Sequence, residues 1–351
     1  MIEFELVWFD SLGAKSSCTL VKTPDVSILI DPGIAAMQAS FPASSSKKLL
    51  WKLEGKRAIK RASKRADVIV ISHYHHDHYF PEDLSIYKNK IIFIKNPNEY
   101  INDSQRDRAE KFFSKVCEEF GKTSLENFLE KPEMKNYEEP LKDIPVAASK
   151  DFGDYNDRRR YLLKQGMEWF RKRENKWKNY DRIPELNFGR TRFIYPEGKI
   201  FSFGETKVRF TKPLFHGIEF SRVGWIFATI IEYKGSKFIH SSDVNGPIIE
   251  DYADFFIREN PDVLILDGPM TYMLGYLLNK TNLKRAIMNA TRIVKKTDTR
   301  LIIYDHHLPR EAKFRENTMD VWEEAKREGK DVLTAAEYLG KTPKVLECVE
   351  G

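Results

Sequence analysis

The feature that most constrains this chain is the stretch of residues 73–78, in which four of six positions are histidine and a fifth is aspartate. It follows directly on the apolar run Val68–Ile71, so it lies on a loop at the end of a buried strand. Histidine is the commonest metal ligand in proteins. A solvated polar loop is the alternative, but this density of nitrogen and carboxylate ligands favours a metal site.

The chain has eight histidines, and the other four also lie at the ends of apolar stretches. His216 and His240 each end a predicted strand, and His306 and His307 follow the last strong one. Asp243 comes shortly after His240. Each signal is weak alone, because a single aspartate or histidine at a strand end is more often a turn or structural residue. The shared placement of His216, Asp243 and the His306-His307 pair indicates one site, since ligand-binding residues gather at strand ends in layered α/β folds. We expect His240 to be a structural strand-end histidine, and His76 to point away from the site.

The apolar pattern is that of an α/β fold, in which short strands alternate with polar loops and helical segments. Two strands flank the turn Lys234-Gly235-Ser236 and form a predicted hairpin. Residues of about 100–190 break the pattern, because they are rich in charged and aromatic side chains and hold no good strand. The predicted strands cover residues 26–30, 68–71, 91–94, 208–210, 226–231, 237–240, 263–266 and 301–303, and a predicted helix covers 283–297.

This reading divides the chain into three parts. Residues 1–99 form the first half of an α/β domain, and residues 196–351 form its second half with a C-terminal helical tail. Residues 100–195 form a charged helical insertion between them. The insertion is expected to act as a lid over the site or as a binding arm.

Composition narrows the class of protein further. The net charge of +6 over 351 residues favours anionic partners without identifying one. Three widely spaced cysteines indicate neither a disulfide framework nor a thiolate zinc site. The acidic N-terminus lacks the basic start of a signal peptide, and no apolar run reaches the length of a membrane span. We therefore expect a cytoplasmic protein with no membrane contact.

The loop pattern His73-x-His75-x-Asp77-His78 resembles the signature of the metallo-β-lactamase superfamily, and the match is complete. The resemblance covers residues 1–95 and 198–310. The motifs around 267–272 and 305–310 resemble those of a prokaryotic branch of predicted metal-dependent hydrolases within this superfamily. The resemblance implies an αββα sandwich, here carrying the helical insertion.

The resemblance also implies two metal ions at one edge of the sandwich. It places His73, His75 and His216 on one ion, and Asp77, His78 and a terminal histidine on the other, with Asp243 bridging them. The terminal ligand is His306 or His307. Aligning His306 with the terminal motif of tRNA-processing relatives also aligns Arg310 with an arginine of theirs, which favours His306. By the same resemblance, Asp77 and Asp243 are the catalytic carboxylates and Asp31 orients the loop ligands.

The chemistry that this resemblance implies is hydrolysis by a hydroxide bridging two divalent cations. Zn²⁺ is the first choice for nitrogen and carboxylate ligands, with Mn and Fe as alternatives. No catalytic serine or cysteine pattern and no nucleotide-binding glycine pattern is present.

The substrate is open at this level. Basic segments 47–65 and 158–182, the second with interleaved aromatic residues, favour a phosphodiester or nucleic acid. A small ester, lactone or phosphoester under a lid is the alternative, and a non-catalytic metal-containing nucleic-acid-binding protein is another. The predicted substrate-facing side chains are His307, Tyr272 and Arg310, together with Tyr74 and Tyr79.

Overall fold

The computed structural model describes the backbone of residues 1–350 and the side chains of residues 1–349. Most of the chain lies in short strands and helices in an alternating order. The strands are β1 (Glu3–Phe9), β2 (Ser17–Lys22), β3 (Ser27–Ile30), β4 (Val68–Ile71), β5 (Ile91–Ile94), β6 (Leu186–Phe188), β7 (Thr191–Ile194), β8 (Ile200–Phe203), β9 (Thr206–Phe210), β10 (Leu214–Phe215), β11 (Trp225–Ile226), β12 (Thr229–Tyr233), β13 (Ser236–His240), β14 (Val263–Asp267), β15 (Leu301–Asp305) and β16 (Asp331–Leu333).

The helices lie between these strands and at the C-terminal end. They are α1 (Ser45–Ser63), α2 (Asp103–Val116), α3 (Pro145–Ser149), α4 (Asn156–Trp177), α5 (Glu250–Glu259), α6 (Lys280–Lys296), α7 (Phe314–Asn317), α8 (Met319–Glu328), α9 (Ala335–Tyr338) and α10 (Lys344–Glu350). Within the described residues, none of them is both long and apolar enough to cross a lipid bilayer.

Two seven-stranded sheets form the body of the protein, as the αββα prediction requires. The first has the order β1-β2-β3-β4-β5-β7-β6, and the second has the order β16-β15-β14-β13-β12-β9-β8. The first sheet has a parallel block, β3-β4-β5-β7, with antiparallel strands on both sides. The parallel block of the second sheet, β13-β14-β15-β16, has antiparallel strands on one side, and β16 is the edge strand. The predicted strand 226–231 is wrong in one detail, because Trp225 and Ile226 leave the sheet to pair with β10.

The central strands are apolar on both faces, and this places them between two layers. In β4, Val68 and Val70 contact the core between the two sheets, whereas Ile69 and Ile71 contact the core beneath the helices. The same division separates Ile265 from Leu264 in β14. Alternate side chains of a strand point to opposite faces, so a continuous aliphatic run is buried on both sides. The αββα architecture follows from these runs.

The carboxyl ends of the parallel strands carry the predicted site residues. β3 leads to Asp31, β4 to the loop 73–78, β13 to Asp243, β14 ends at Asp267 and β15 leads to His306. In parallel sheets these ends lie on the same edge, which is the usual position of ligand sites in α/β folds. The fold therefore brings residues far apart in the sequence to one edge of the sandwich.

The stretch 100–195 contains helices α2, α3 and α4 and several single helical turns. It also contains β6 and β7, which complete the edge of the first sheet, so the expectation of no strand there is wrong at its C-terminal end. The short alternating run of β7 pairs with the buried strand β5, and this contact decides its conformation.

Candidate metal centre

The seven residues predicted as metal ligands lie together at the shared edge of the two sheets. One ligand atom from each of His73, His75, His216 and Asp243 lies within 4.8 Å of the others, and the same holds for Asp77, His78 and His306. All seven are buried except His75 and Asp77, which are partly exposed. The two sets correspond to the two groups that the resemblance implies.

Asp243 lies between the two histidine groups, with one carboxylate oxygen turned toward each. Its Oδ2 lies 3.0 Å from His216 Nε2 and 3.5 Å from His73 Nε2. Its Oδ1 lies 3.1 Å from His78 Nε2 and 3.4 Å from His306 Nε2. A carboxylate so placed can serve both groups at once, as a bridging ligand does.

The outward-facing ring nitrogens of His73, His78 and His306 contact polar groups of the protein. Asp31 Oδ2 accepts a hydrogen bond from His78 Nδ1 at 2.9 Å, and Asp10 Oδ1 lies 3.1 Å from His306 Nδ1. Ser72 Oγ lies 3.0 Å from His73 Nδ1 and donates to Asp31. Such outer partners fix the ring orientation and leave the inner nitrogen with its lone pair free for a metal.

The ligand atoms that point into the centre are spaced for a bound metal ion rather than for hydrogen bonds with one another. His216 Nε2 and Asp243 Oδ1 are buried and make no hydrogen bond within the described structure. His78 Nε2 lies only 3.3 Å from His306 Nε2, and His73 Nε2 lies 2.9 Å from His75 Nδ1. Nitrogens bound to one tetrahedral Zn²⁺ at ordinary bond lengths are about 3.3 Å apart. The donor set and its spacing therefore suit divalent metal ions.

The electrostatics of the centre also favour cations. Burial lowers the pKa of His73 to about 4 and lowers that of His75 well below its ordinary value, so both rings are neutral and available as ligands. Burial opposes the charged form of His78 as well, but the carboxylates of Asp243 and Asp31 outweigh it and raise the pKa of His78 to about 10. Carboxylates thus concentrate negative potential on the Asp77–His78–His306 side.

His306 and His307 occupy different positions, although the sequence left both open as the terminal ligand. His306 Nε2 faces Asp243 and His78, whereas His307 Nδ1 contacts Asp267 Oδ1 at 2.8 Å. A ligand atom of His307 still lies within 4.8 Å of those of Asp243 and His306. The geometry places His306 inside the second ligand group and His307 beside it.

Three residues of the centre have left-handed backbone conformations without being glycine. They are Asp31 (φ 48°), Ser242 (φ 54°) and His306 (φ 48°), each just beyond a strand. This conformation is unfavourable for residues with a side chain and persists where surrounding contacts fix it. Gly33 allows two of these loops to approach closely, because a Cβ at this position would overlap the backbone of Asp77 and His78. The strand-end loops are thus held against each other at the ligands.

Sequence reasoning missed the buried carboxylates that support the terminal ligand. Asp10 contacts both His306 and the guanidinium of Arg310. Asp305 accepts backbone hydrogen bonds from Ser11 and Ala335 as well as from His306. Asp10 follows the apolar strand β1, so an aspartate at a strand end was the available signal. Its partners are about three hundred residues away and could not be inferred from spacing.

The other predicted side chains divide into those near the centre and those that pack elsewhere. Arg310 is buried and donates to the hydroxyl of the half-buried Tyr272, so this pair lies beside the centre. Tyr74 is fully buried and donates to Lys95 O, and Tyr79 packs against Phe112, so their predicted substrate contact is wrong.

Two histidines outside the ligand set have structural positions. His76 is exposed and stacks on Tyr79, so it points away from the centre, as expected. His240 Nε2 donates to Ser17 O at 2.9 Å and so connects β13 to β2 of the other sheet.

A large cavity lies away from these ligands. It has a volume of about 720 Å³ and is lined mainly by residues 135–146, 211–215 and 251–258, with none of the seven ligands among them. The ligands themselves are almost closed off, since the side chain of Asp77 is 15% exposed and that of Asp243 only 2%. Access to the centre is therefore narrow.

The chain is similar to several known proteins. Residues 13–80 match the metallo-beta-lactamase superfamily. A UPF0282 protein of Methanocaldococcus jannaschii is 32% identical over 350 residues, which cover 96% of this chain and 91% of that protein. A UPF0282 protein of Methanopyrus kandleri is 30% identical over 352 residues, covering 97% and 94%. Among solved structures, the metallo-beta-lactamase fold protein YhfI of Bacillus subtilis is 14% identical, covers 95% of each chain and has a TM-score of 0.41. The chain therefore belongs to the UPF0282 family, within the metallo-β-lactamase superfamily.

Proposed function

We propose that this protein is a hydrolase that uses two divalent metal ions, with Zn²⁺ as the first choice, to cleave a phosphate ester. The observation that carries the proposal is the position of Asp243, whose two oxygens face separate histidine groups. His73, His75 and His216 would hold one ion and Asp77, His78 and His306 the other. When bound, the two ions would lower the pKa of a water molecule to near neutrality and polarise the bond that it attacks.

The residues around the ions have separate tasks in this proposal. Asp31 and Asp10 fix the rings of His78 and His306, so the ligand atoms are in place before substrate arrives. Asp267 holds His307 beside Asp243, which leaves the second ring nitrogen of His307 free to face the substrate. The low exposure of the ligands excludes bulk water from the reacting bond.

The narrow access favours a small substrate over a long polymer. Part of the basic charge expected to hold nucleic acid is already neutralised, since Lys56 pairs with Glu82, and Arg173 with Asp103. The aromatic side chains of α4 are also engaged. Trp177 is fully buried, and Trp169 stacks on Trp225 with the ring planes 8° apart. Neither ring is free to stack on bases.

An activity panel on the metal-loaded protein tests the proposal. The panel contains 4-nitrophenyl phosphate, bis(4-nitrophenyl) phosphate, 4-nitrophenyl acetate, a simple lactone and a single-stranded oligonucleotide. We expect turnover of a phosphate ester that is lost after chelation and restored by Zn²⁺ or Mn²⁺. Turnover of the acetate or the lactone alone would shift the substrate class, and cleavage of the oligonucleotide alone would favour a nuclease. Full metal loading with no turnover on any member would overturn the proposal in favour of a binding protein.

A further inference from the structure

Arg310 presents an unused donor beside the metal centre. Its side chain is 3% exposed, its Nε contacts Asp10, and its Nη1 donates to the Tyr272 hydroxyl at 3.0 Å. Its Nη2 is buried and makes no hydrogen bond within residues 1–349, although Asp77 Oδ2 lies 3.7 Å away. An unsatisfied buried guanidinium nitrogen is costly, so this atom is in place for an acceptor that the protein does not supply.

Lys15 is a second cation near the same point. Its backbone pairs with Ala35 in both directions, and the carbonyl oxygen of the next residue, Ser16, lies 3.2 Å from His306 Nδ1. The side chain is half-buried, and in the described part of the chain no carboxylate oxygen lies within 4.0 Å of its ammonium nitrogen. The amide of Ser16 also donates to Asp10 Oδ1 at 2.9 Å, and Asp10 contacts Arg310, so the backbone of Lys15 lies one residue from the contacts of Arg310 and His306. Burial and the charge of Arg310 lower the pKa of Lys15, while Asp77 raises it.

The half-buried Lys15 has no carboxylate partner within residues 1–349, although its neighbour Ser16 contacts both Asp10 and His306. The carboxylates at this point are Asp10 and Asp77, and Asp77 Oδ2 lies 3.7 Å from Arg310 Nη2. Both carboxylates are already engaged, Asp10 by Arg310 and His306, and Asp77 by the ligand group. Two cations beside a metal centre, each with N–H groups not used in hydrogen bonds, favour the binding of an anion between them.

We propose that Lys15, Arg310 and Tyr272 bind an oxyanion of the substrate, a phosphate or a carboxylate, beside the Asp77–His78–His306 group. Arg310 Nη2 and the Lys15 ammonium would donate to its oxygens. The Tyr272 hydroxyl accepts from Arg310 Nη1, so its own hydrogen is free to donate as well. The inference rests on the proposed hydrolase function and adds the group that the substrate must carry next to the bond cleaved.

Lys15 is the residue through which the inference is tested, because its side chain makes no ion pair with any residue of 1–349 whose loss would disturb the fold. We would load the wild-type protein and the variants Lys15→Met and Lys15→Arg with Zn²⁺ and confirm equal metal content. Isothermal titration with inorganic phosphate and, separately, with acetate then gives the dissociation constants. Lys207→Met, which removes an exposed lysine on β9, is the matched control.

We expect Lys15→Met to raise the dissociation constant for at least one of the two anions tenfold or more, Lys15→Arg to restore part of the affinity, and Lys207→Met to change nothing. If Lys15→Met weakens the binding of phosphate alone, the substrate carries a phosphate group at this site. If it weakens the binding of acetate alone, the substrate carries a carboxylate there. Equal affinities in wild type and Lys15→Met for both anions, at equal metal content, would overturn the inference. Because the readout is binding, lysine-dependent affinity in a protein without turnover would refute the hydrolase proposal and leave this subsite standing.

Discussion

Replacing Asp243 by asparagine is expected to lower kcat/KM for phosphate-ester hydrolysis by about a thousandfold or more. The substitution keeps the size of the side chain but leaves one oxygen where two histidine groups each face one. The amide nitrogen would turn its hydrogens toward one histidine group. A metal ion held by that group would then lose residue 243 as a ligand. Loss of one metal ion removes several kcal/mol of transition-state stabilisation, and each 1.4 kcal/mol corresponds to a factor of about ten.

Steady-state kinetics of Asp243→Asn on the best phosphate ester measures this effect. Asp331→Asn is the matched control, since Asp331 is an exposed aspartate of the same sheet whose side chain has no ion-pair or hydrogen-bond partner among residues 1–349. The control should keep wild-type kinetics. If Asp243→Asn retained activity within tenfold of wild type at unchanged metal content, Asp243 would not be the shared ligand.

The second large effect is expected on stability, at a charge cluster that joins the stretch 100–195 to α5 and α6. Arg285 on α6 donates to Glu250 at 2.7 Å and to Glu219 at 2.6 Å; Arg285 and Glu250 are buried, and the side chain of Glu219 is 7% exposed. From the stretch 100–195, Arg159 donates to Glu219 at 2.8 Å and Lys150 donates to Glu250 at 2.8 Å. Glu219 follows His216 by three residues, so the cluster also holds the loop of a metal ligand.

Arg285→Met is expected to lower the free energy of unfolding by about 3 kcal/mol. Removing one partner of a buried ion pair costs about 3–5 kcal/mol, because the other charge stays buried without compensation. The lower value applies here, since Arg159 and Lys150 still neutralise one carboxylate each. Urea denaturation followed by circular dichroism gives the measurement. Arg160→Met removes an arginine from an exposed pair with Asp157, and should change stability by less than about 1 kcal/mol. If the two variants had equal free energies of unfolding, the cluster around Arg285 would not be a major source of stability.

The difference in the free energy of unfolding between wild type and Arg285→Met should also depend on pH. Arg285 and the other cations hold the pKa of Glu219 and of Glu250 below the ordinary value of 4.5, although burial opposes them. A carboxylate with a lowered folded-state pKa contributes stability above its unfolded pKa and loses it as the pH falls. In Arg285→Met the two carboxylates are easier to protonate, so acid removes less stability from the variant. The stability difference should therefore shrink between pH 7 and about pH 4.

The fold and the ligand loop could be predicted because their signals are local. Val68–Ile71 is aliphatic at every position, which identifies a strand buried on both faces, and four ligand-type side chains follow within a few residues. The ends of parallel strands share one edge, so Asp243 and His306 could be placed with that loop. The sequence favoured His306 over His307 only through the alignment of Arg310, because the geometric difference between them depends on a left-handed backbone and on the contacts of Asp10 and Asp267.

Long-range contacts account for what the sequence did not predict. Asp10 and His306 are 296 positions apart, and no periodic pattern relates them. Trp169 and Trp177 could be assigned to stacking on bases or to packing on the body, and only the partners Trp225 and Ile101 distinguish the two. The spare donors of Lys15 and Arg310 are likewise a property of the assembled site, since an unpaired side chain is defined by what surrounds it.

The number of divalent metal ions bound per chain tests the central claim most directly. The protein would be stripped with chelator, reconstituted with Zn²⁺, freed of excess metal by gel filtration and analysed by inductively coupled plasma mass spectrometry. The arrangement of His73, His75 and His216 on one side of Asp243, and of Asp77, His78 and His306 on the other, predicts about two ions per chain. A ratio near zero after reconstitution of folded protein would contradict it.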